Sequence, residues 1–172
     1  MSKRTMTLVL AVLLVALGNV TTAQESLKDI VEEQGFGWMM AKWTAATDSG
    51  QSIVISFQWA VKGHAIITAF EMGERSSHGM IYFDADEQAV KQFSVDSRGQ
   101  ANNASWEPMG GKALCRTKMT DEYGDKTDVG IAYSQVDATT LKVEVYRLEN
   151  GQVPDYPAFE MNFKKAKKKA EN

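Results

Sequence analysis

From Gly37 onwards, apolar and polar residues alternate with a period of two. The rhythm is clearest between Gln51 and Val61, where Ile53, Ile55, Phe57, Trp59 and Val61 fall on one side and Ser52, Ser56 and Gln58 on the other. It returns in Val129, Ile131, Tyr133, in Leu141, Val143, Val145, and in Phe159, Met161, Phe163. Successive side chains of a pleated strand point to opposite faces, so this pattern predicts strands with one dry and one wet face.

Turn signals separate these runs: Asp48-Ser49-Gly50, Lys62-Gly63, Gly73-Glu74-Arg75, Asp84-Ala85-Asp86, Ser97-Arg98-Gly99, Met109-Gly110-Gly111, Tyr123-Gly124-Asp125, Asp137-Ala138-Thr139 and Asn150-Gly151. Each supplies glycine for positive φ, or Asp, Asn or Ser for local backbone bonding. They predict ten strands, over 37–47, 51–61, 64–72, 77–83, 88–96, 101–107, 112–119, 127–136, 140–148 and 158–164. Strands this close are joined as antiparallel hairpins, because a parallel crossover needs about a dozen residues or more. Closing the sheet on itself hides every dry face and removes exposed edges. A two-sheet sandwich is the alternative, but the even spacing and the lack of a long crossover favour an all-β, up-and-down antiparallel barrel of about ten strands.

Before the alternation begins, the period is helical. Ser26 is a suitable N-cap, Asp29 a capping-box partner and Gly35 a C′ stop, with Leu27, Ile30 and Val31 on one narrow face. About two turns of helix do not stand alone, so a short N-terminal helix is expected to dock on the barrel as a lid or plug.

Earlier still, Lys3 and Arg4 precede an apolar run from Met6 to Leu17, followed by small residues at Thr21 and Ala23. That is the pattern of a secretory signal peptide over 1–23, cleaved after Ala23; an uncleaved membrane anchor is the alternative. The expected organisation is this signal, a barrel domain over 24–164, and a basic tail over 165–172, with the product exported to a periplasm or the exterior. No other stretch reaches the roughly 20 apolar residues of a spanning helix.

Charge narrows the partners. Residues 24–163 carry 12 positive and 21 negative side chains, a net of −9. An acidic body repels phosphate backbones, which argues against nucleic-acid binding. Lys164, Lys165, Lys167, Lys168 and Lys169 form a basic run suited to an anionic surface, or simply to solvent. A single cysteine makes no internal disulfide, and two histidines make no three-histidine metal site.

Signals of catalysis are weak, and neither a metal nor a cofactor is implied. His64 and His78 open predicted strands, where either could serve as general base at the barrel mouth or as a haem ligand, and Glu74 lies in a turn. No ligand motif surrounds them, and a hydrogen-bonded strand-end histidine is the commoner role. Cys115 shares its phase with Ala113, Thr117 and Met119, which makes it a buried core thiol rather than a nucleophile. The acidic loop Asp121, Glu122, Asp125, Asp128 departs from calcium-loop spacing and reads as a solvated hairpin, as do Asp84, Asp86 and Glu87. Asn103-Ala104-Ser105 is a glycosylation triplet that matters only in a eukaryotic secretory route.

The stretches Gly37-Trp38-Met39-Met40-Ala41-Lys42-Trp43-Thr44, Phe57-Gln58-Trp59, His78-Gly79-Met80-Ile81 and Pro154-Asp155-Tyr156-Pro157, set in this hairpin meander, carry a resemblance. The chain resembles the lipocalin-like, or calycin-like, barrels and, more narrowly, small exported bacterial lipocalin-like proteins of unknown function. It departs from their Gly-x-Trp signature, since Gly37 abuts Trp38. The resemblance implies an arginine packed on that tryptophan, for which Arg147 is the candidate. It brings no activity with it.

The expected function is a binding module for a small hydrophobic molecule held inside the barrel. The nine methionines and sixteen aromatics supply a deformable, ring-rich lining. Phe57, Trp59, Phe70, Met72, Phe93, Met119, Tyr133 and Arg147 are the candidate ligand residues, and Ile55 and Met161 share the inward phase. A barrel of this size either fills with side chains or holds one small ligand. The alternatives are a filled cell-envelope interaction domain and an enzyme working at the mouth through His78 or His64.

Overall fold

The computed structural model describes residues 26–121 and 124–167. The expected signal segment, Glu122 and Tyr123 of the acidic hairpin, and Lys168 and Lys169 of the tail lie outside the described residues.

Ten antiparallel strands close into a barrel: β1 (Lys42–Ala46), β2 (Ser52–Val61), β3 (Ala65–Met72), β4 (Arg75–Asp84), β5 (Ala89–Asp96), β6 (Ala101–Met109), β7 (Lys112–Thr120), β8 (Lys126–Asp137), β9 (Thr140–Arg147) and β10 (Phe159–Lys165). Each pairs with its neighbours in sequence, and β1 pairs with β10 to complete the ring. Strands β2 to β10 begin and end within two residues of the bounds expected from the alternation. The first strand differs. Residues 37–39 form a 3₁₀ turn instead, and β1 starts only at Lys42. The chain must bend there from the barrel base into its wall, and the Trp43 indole fixes the bend by donating to the Met39 carbonyl at 3.2 Å. The last strand takes in Lys164 and Lys165, so the first two lysines of the basic run belong to the wall.

The helix forms as its capping signals predict. α1 (Leu27–Glu33) has a complete capping box, with the Asp29 amide donating to Ser26 Oγ and the Ser26 amide donating to Asp29 Oδ2. Gly35, at φ 69°, supplies the left-handed residue that stops it. α1 docks through buried Leu27 and through the Lys28 amide, which donates to the Gly63 carbonyl at 3.0 Å. Gly63 lies in the β2–β3 turn, so α1 covers the end where the β2–β3, β4–β5, β6–β7 and β8–β9 turns gather.

Inside the wall, Trp43, Ile53, Ile55, Phe57, Ile66, Ile81, Cys115, Tyr133, Leu141, Val143 and Phe163 form one buried cluster with Leu27 and Met39. A second, smaller cluster lies outside it. Leu114, Ala132 and Tyr146 occupy the opposite phase of β7, β8 and β9, and pack with Met109, Leu148 and Val153. The β9–β10 connection thus folds back over the outer wall, where Arg116 donates to the Gly151 carbonyl at 2.7 Å. Beside it, Glu144 is buried between Lys112 and Lys142.

Several carboxyls are held below their ordinary range. Asp137 sits at about 2 because the Thr139 amide and the Thr140 and Thr139 hydroxyls donate to it. Asp96 is lowered by the Gln100 amide above all, and Asp29 by Ser26. Burial works to raise Glu144, but the bond from Lys112 and the charges of Lys112 and Lys142 outweigh it. A carboxyl lowered in the folded state contributes stability above its unfolded pKa and loses it as pH falls through the folded value. Denaturant midpoints should therefore be flat from about pH 5 to about pH 8 and fall steadily from about pH 4 towards 2. Asp137→Asn should flatten the lower part of that fall.

Candidate functional site

A cavity of about 100 Å³ lies between α1 and the barrel end it covers. Leu27, Ile30, Val31 and Phe36 form its roof, Met39 and Met40 one flank, and Phe57, Ile66, Ile81, Val90, Trp106 and Ala113 its floor. Gln34, Glu107 and Pro108 border it as well, but the Glu107 side chain lies in the outward phase opposite Leu114, where its carboxylate is held by Arg116 at 2.8 Å.

The floor follows from cross-strand register. Ile66 pairs with Ile81, Val90 with Trp106, and Trp106 with Cys115, so each of these side chains points inward from a neighbouring strand. Three rings then lock together. Phe57 meets Tyr133 edge-on at 5.6 Å and Trp106 at 6.3 Å, while Trp106 stacks on Tyr133 at 5.4 Å. The Trp106 indole donates to Gln92 Oε1 at 2.9 Å, which satisfies its polar edge inside the wall. This arrangement can shelter an apolar group.

The candidate ligand residues are scattered. Phe57 lines the cavity, and Tyr133 stands behind it through the ring contacts. Trp59, Phe70 and Met72 point inward and pack on the main cluster, but away from the cavity. Met119 shares the face of Cys115 yet is 52% exposed. Phe93 needs correction. Its neighbours on β5, Gln92 and Val90, pair with the inward Ala104 and Trp106, so Phe93 faces outward and is 47% exposed. The β5 interior phase is polar apart from Val90, which is why apolar content alone misplaces it. Arg147 is also corrected: it pairs with Val129 at the end remote from α1, whereas Trp38 and Trp43 lie at the α1 end. The cation on a tryptophan is Lys165, 5.7 Å above the Trp43 ring.

Sequence reading overlooks Trp106, because β6 alternates weakly between Asn102, Ala104 and Trp106 on one side and Asn103 and Ser105 on the other. Only the partner strands reveal which side is dry.

His64 lies in the exposed β2–β3 turn, and His78 is exposed on the outer wall opposite Val95. Neither lines the cavity. Glu74 is exposed in the β3–β4 turn at the far end. Asp84 accepts from the Asp86 and Glu87 amides, a turn of the expected kind. Among the described residues, no group of three or more His, Cys, Asp or Glu side chains could hold a metal ion.

Cys115 is buried inside the barrel, and burial pushes its thiol up to about 12. A thiol kept protonated and covered does not attack disulfide reagents. Native protein should leave an aromatic disulfide reagent uncoloured over the time in which denatured protein reacts stoichiometrically. Rapid native labelling would show that the wall opens at β7.

Neither a protein-family model nor a curated protein sequence matches the chain.

Proposed function

We propose that the chain is an exported, lipocalin-like carrier that holds a small apolar molecule under α1. The observation that carries this reading is the apolar cavity between a two-turn helix and the barrel end. Support for the lipocalin likeness comes from the buried first-strand Trp43, covered by a cation from the last strand. That cation stands over Trp43, whereas the arginine the resemblance implies belongs on Trp38.

Size limits what enters. Pockets for drug-sized ligands run from about 300 to 1,000 Å³, and about 100 Å³ is room for only about three waters. A whole retinoid or haem does not fit the closed form, so either part of a molecule enters or α1 lifts. A short helix docked by Leu27 and one backbone bond to Gly63 is suited to lifting.

The test is a titration of tryptophan fluorescence in the mature protein with brominated alkyl probes. Saturable quenching is expected, and most of it should vanish in Trp106→Phe. An absence of saturable quenching, with an unchanged Tm at millimolar probe, would overturn the carrier reading. Fractionation of cells expressing the full chain tests export: retention of uncleaved protein in the cytoplasm would refute it.

A second reading, a filled envelope interaction domain, is favoured by one feature of the outer wall. Ile67, Met80 and Phe93 form a cross-strand row over β3, β4 and β5, and each is between 45% and 47% exposed. Concentration-dependent sedimentation that is lost in Met80→Lys, together with a failed ligand titration, would favour that reading over the carrier.

A further inference from the structure

We infer that the outer face of β3, β4 and β5 pairs with the same face of a second copy of the chain. This goes beyond the carrier reading, gives the apolar row of the second reading its partner, and holds whether or not the cavity takes a guest.

The row of Ile67, Met80 and Phe93 does not stand alone. Val61, Tyr82 and Val95 share its outward face on the adjoining rows, and all six are between 38% and 55% exposed. Ala65, Ala69 and Ala101 fill places between them, so the apolar surface is a continuous band. The side chains there that carry charge near neutrality are His78, flanked by Ala69 and Val95, and Lys91, held by Glu87 at 2.6 Å. The opposite side of the barrel is built differently. There Arg116 pairs with Glu107, Lys118 with Asp128, and Glu144 with Lys112 and Lys142. Single apolar residues on a surface are ordinary, but a contiguous band marks a contact.

Area, charge and symmetry select the occupant. The exposed parts of the six side chains come to roughly 500 Å², a patch of the size that serves interactions. Pressed against its own copy, the band buries about 1,000 Å² in all, the lower limit for a specific interface, so the dimer is a weak one with Kd on the order of 100 µM. Two bodies of net charge −9 over residues 24–163 repel each other, and a face without carboxylates is where they can meet. The outward Glu71 and Asp84 lie at the two ends of the band, away from its middle row. Paired proteins mostly use a two-fold axis, with one patch serving both partners. The middle row suits such an axis running along β4: Ile67 of each copy lies against Phe93 of the other, and Met80 meets its own counterpart.

The experiment is sedimentation of the mature protein from about 1 to 500 µM, where mass action should show monomer giving way to dimer. Salt should tighten the association by screening the like charges. Met80→Lys should weaken it at least about tenfold, because the substitution puts a charge at the centre of the contact. Val136→Lys makes the same charge change at an exposed position of β8 and should leave the Kd within about twofold. Thermal melts confirm that each variant is folded. Since Cys115 is buried, Met80→Cys should also link to its own copy under oxidised glutathione, and Val136→Cys should not. A monomer at every concentration, association untouched by Met80→Lys, or cross-linking as ready at position 136 as at 80 would overturn the pairing. So would a monomer that binds phosphatidylcholine vesicles through Met80, since a lipid surface would then be the occupant. None of these results bears on the carrier reading, which stands or falls by the quenching titration.

Discussion

Trp43→Ala is expected to destabilise the fold by about 3–5 kcal/mol, the range for emptying a large aromatic site in a packed core. A domain of this kind has about 5–15 kcal/mol in total, so the variant should be close to unfolding at room temperature. Trp43 has no exposed surface, holds the Met39 carbonyl, meets Trp38 edge-on at 6.5 Å and carries Lys165 over its ring. It therefore joins the entry turn, β1 and the last strand at one point. Trp43→Phe keeps a ring but gives up the bond to Met39, and should fall between wild type and alanine. Urea unfolding followed by circular dichroism measures both. A Trp43→Ala midpoint close to wild type would mean that the entry turn and the ring closure do not depend on this side chain.

Gly79→Ala should cost about 1–3 kcal/mol, the usual penalty for adding volume where none is free. Strand propensity alone predicts the opposite sign, since glycine is disfavoured within strands. Gly79 points inward on β4, where an added Cβ would stand 2.8 Å from the Phe93 carbonyl oxygen, 2.8 Å from Ser94 Cβ and 2.9 Å from Thr68 Oγ1. Thr68 and Ser94 are side chains that can be trimmed, but the carbonyl is part of the β4–β5 ladder. Combining Gly79→Ala with Ser94→Gly and Thr68→Ala should therefore restore only part of the loss, as read from denaturant midpoints. A stabilised Gly79→Ala would show that β3 and β5 can spread apart there.

The barrel was legible from the alternation because most strands have a clear wet face, and hairpin spacing leaves few ways to connect them. α1 was legible from Ser26, Asp29 and Gly35, whose capping chemistry is local. What escaped sequence reading depends on partners distant along the chain. Phe93 and Val95 lie outward on β5 while Val90 lies inward, a phase settled only by pairing with β4 and β6. The outer cluster of Leu114, Tyr146 and Val153 exists because the β9–β10 connection folds back, and no periodicity announces that. The candidate site was legible in kind, as an apolar interior beneath a plug. Its position was not, because Trp106, Val90 and Ala113 become one floor only after β5, β6 and β7 are in register.

The join between β1 and β10 has two register pairs, whereas β3 and β4 share eight. It is reinforced by the Ala166 amide donating to the Lys42 carbonyl. The clasp of the whole ring therefore lies beside a run of lysines that trypsin-like proteases recognise. Clipping beyond Ala166 would leave the bond to Lys42 in place, while cleavage that removes Lys165 would unfasten the cylinder and bare two sheet edges to aggregation. The lifetime of the protein in a protease-rich setting would then depend on a few peptide bonds at the end of β10.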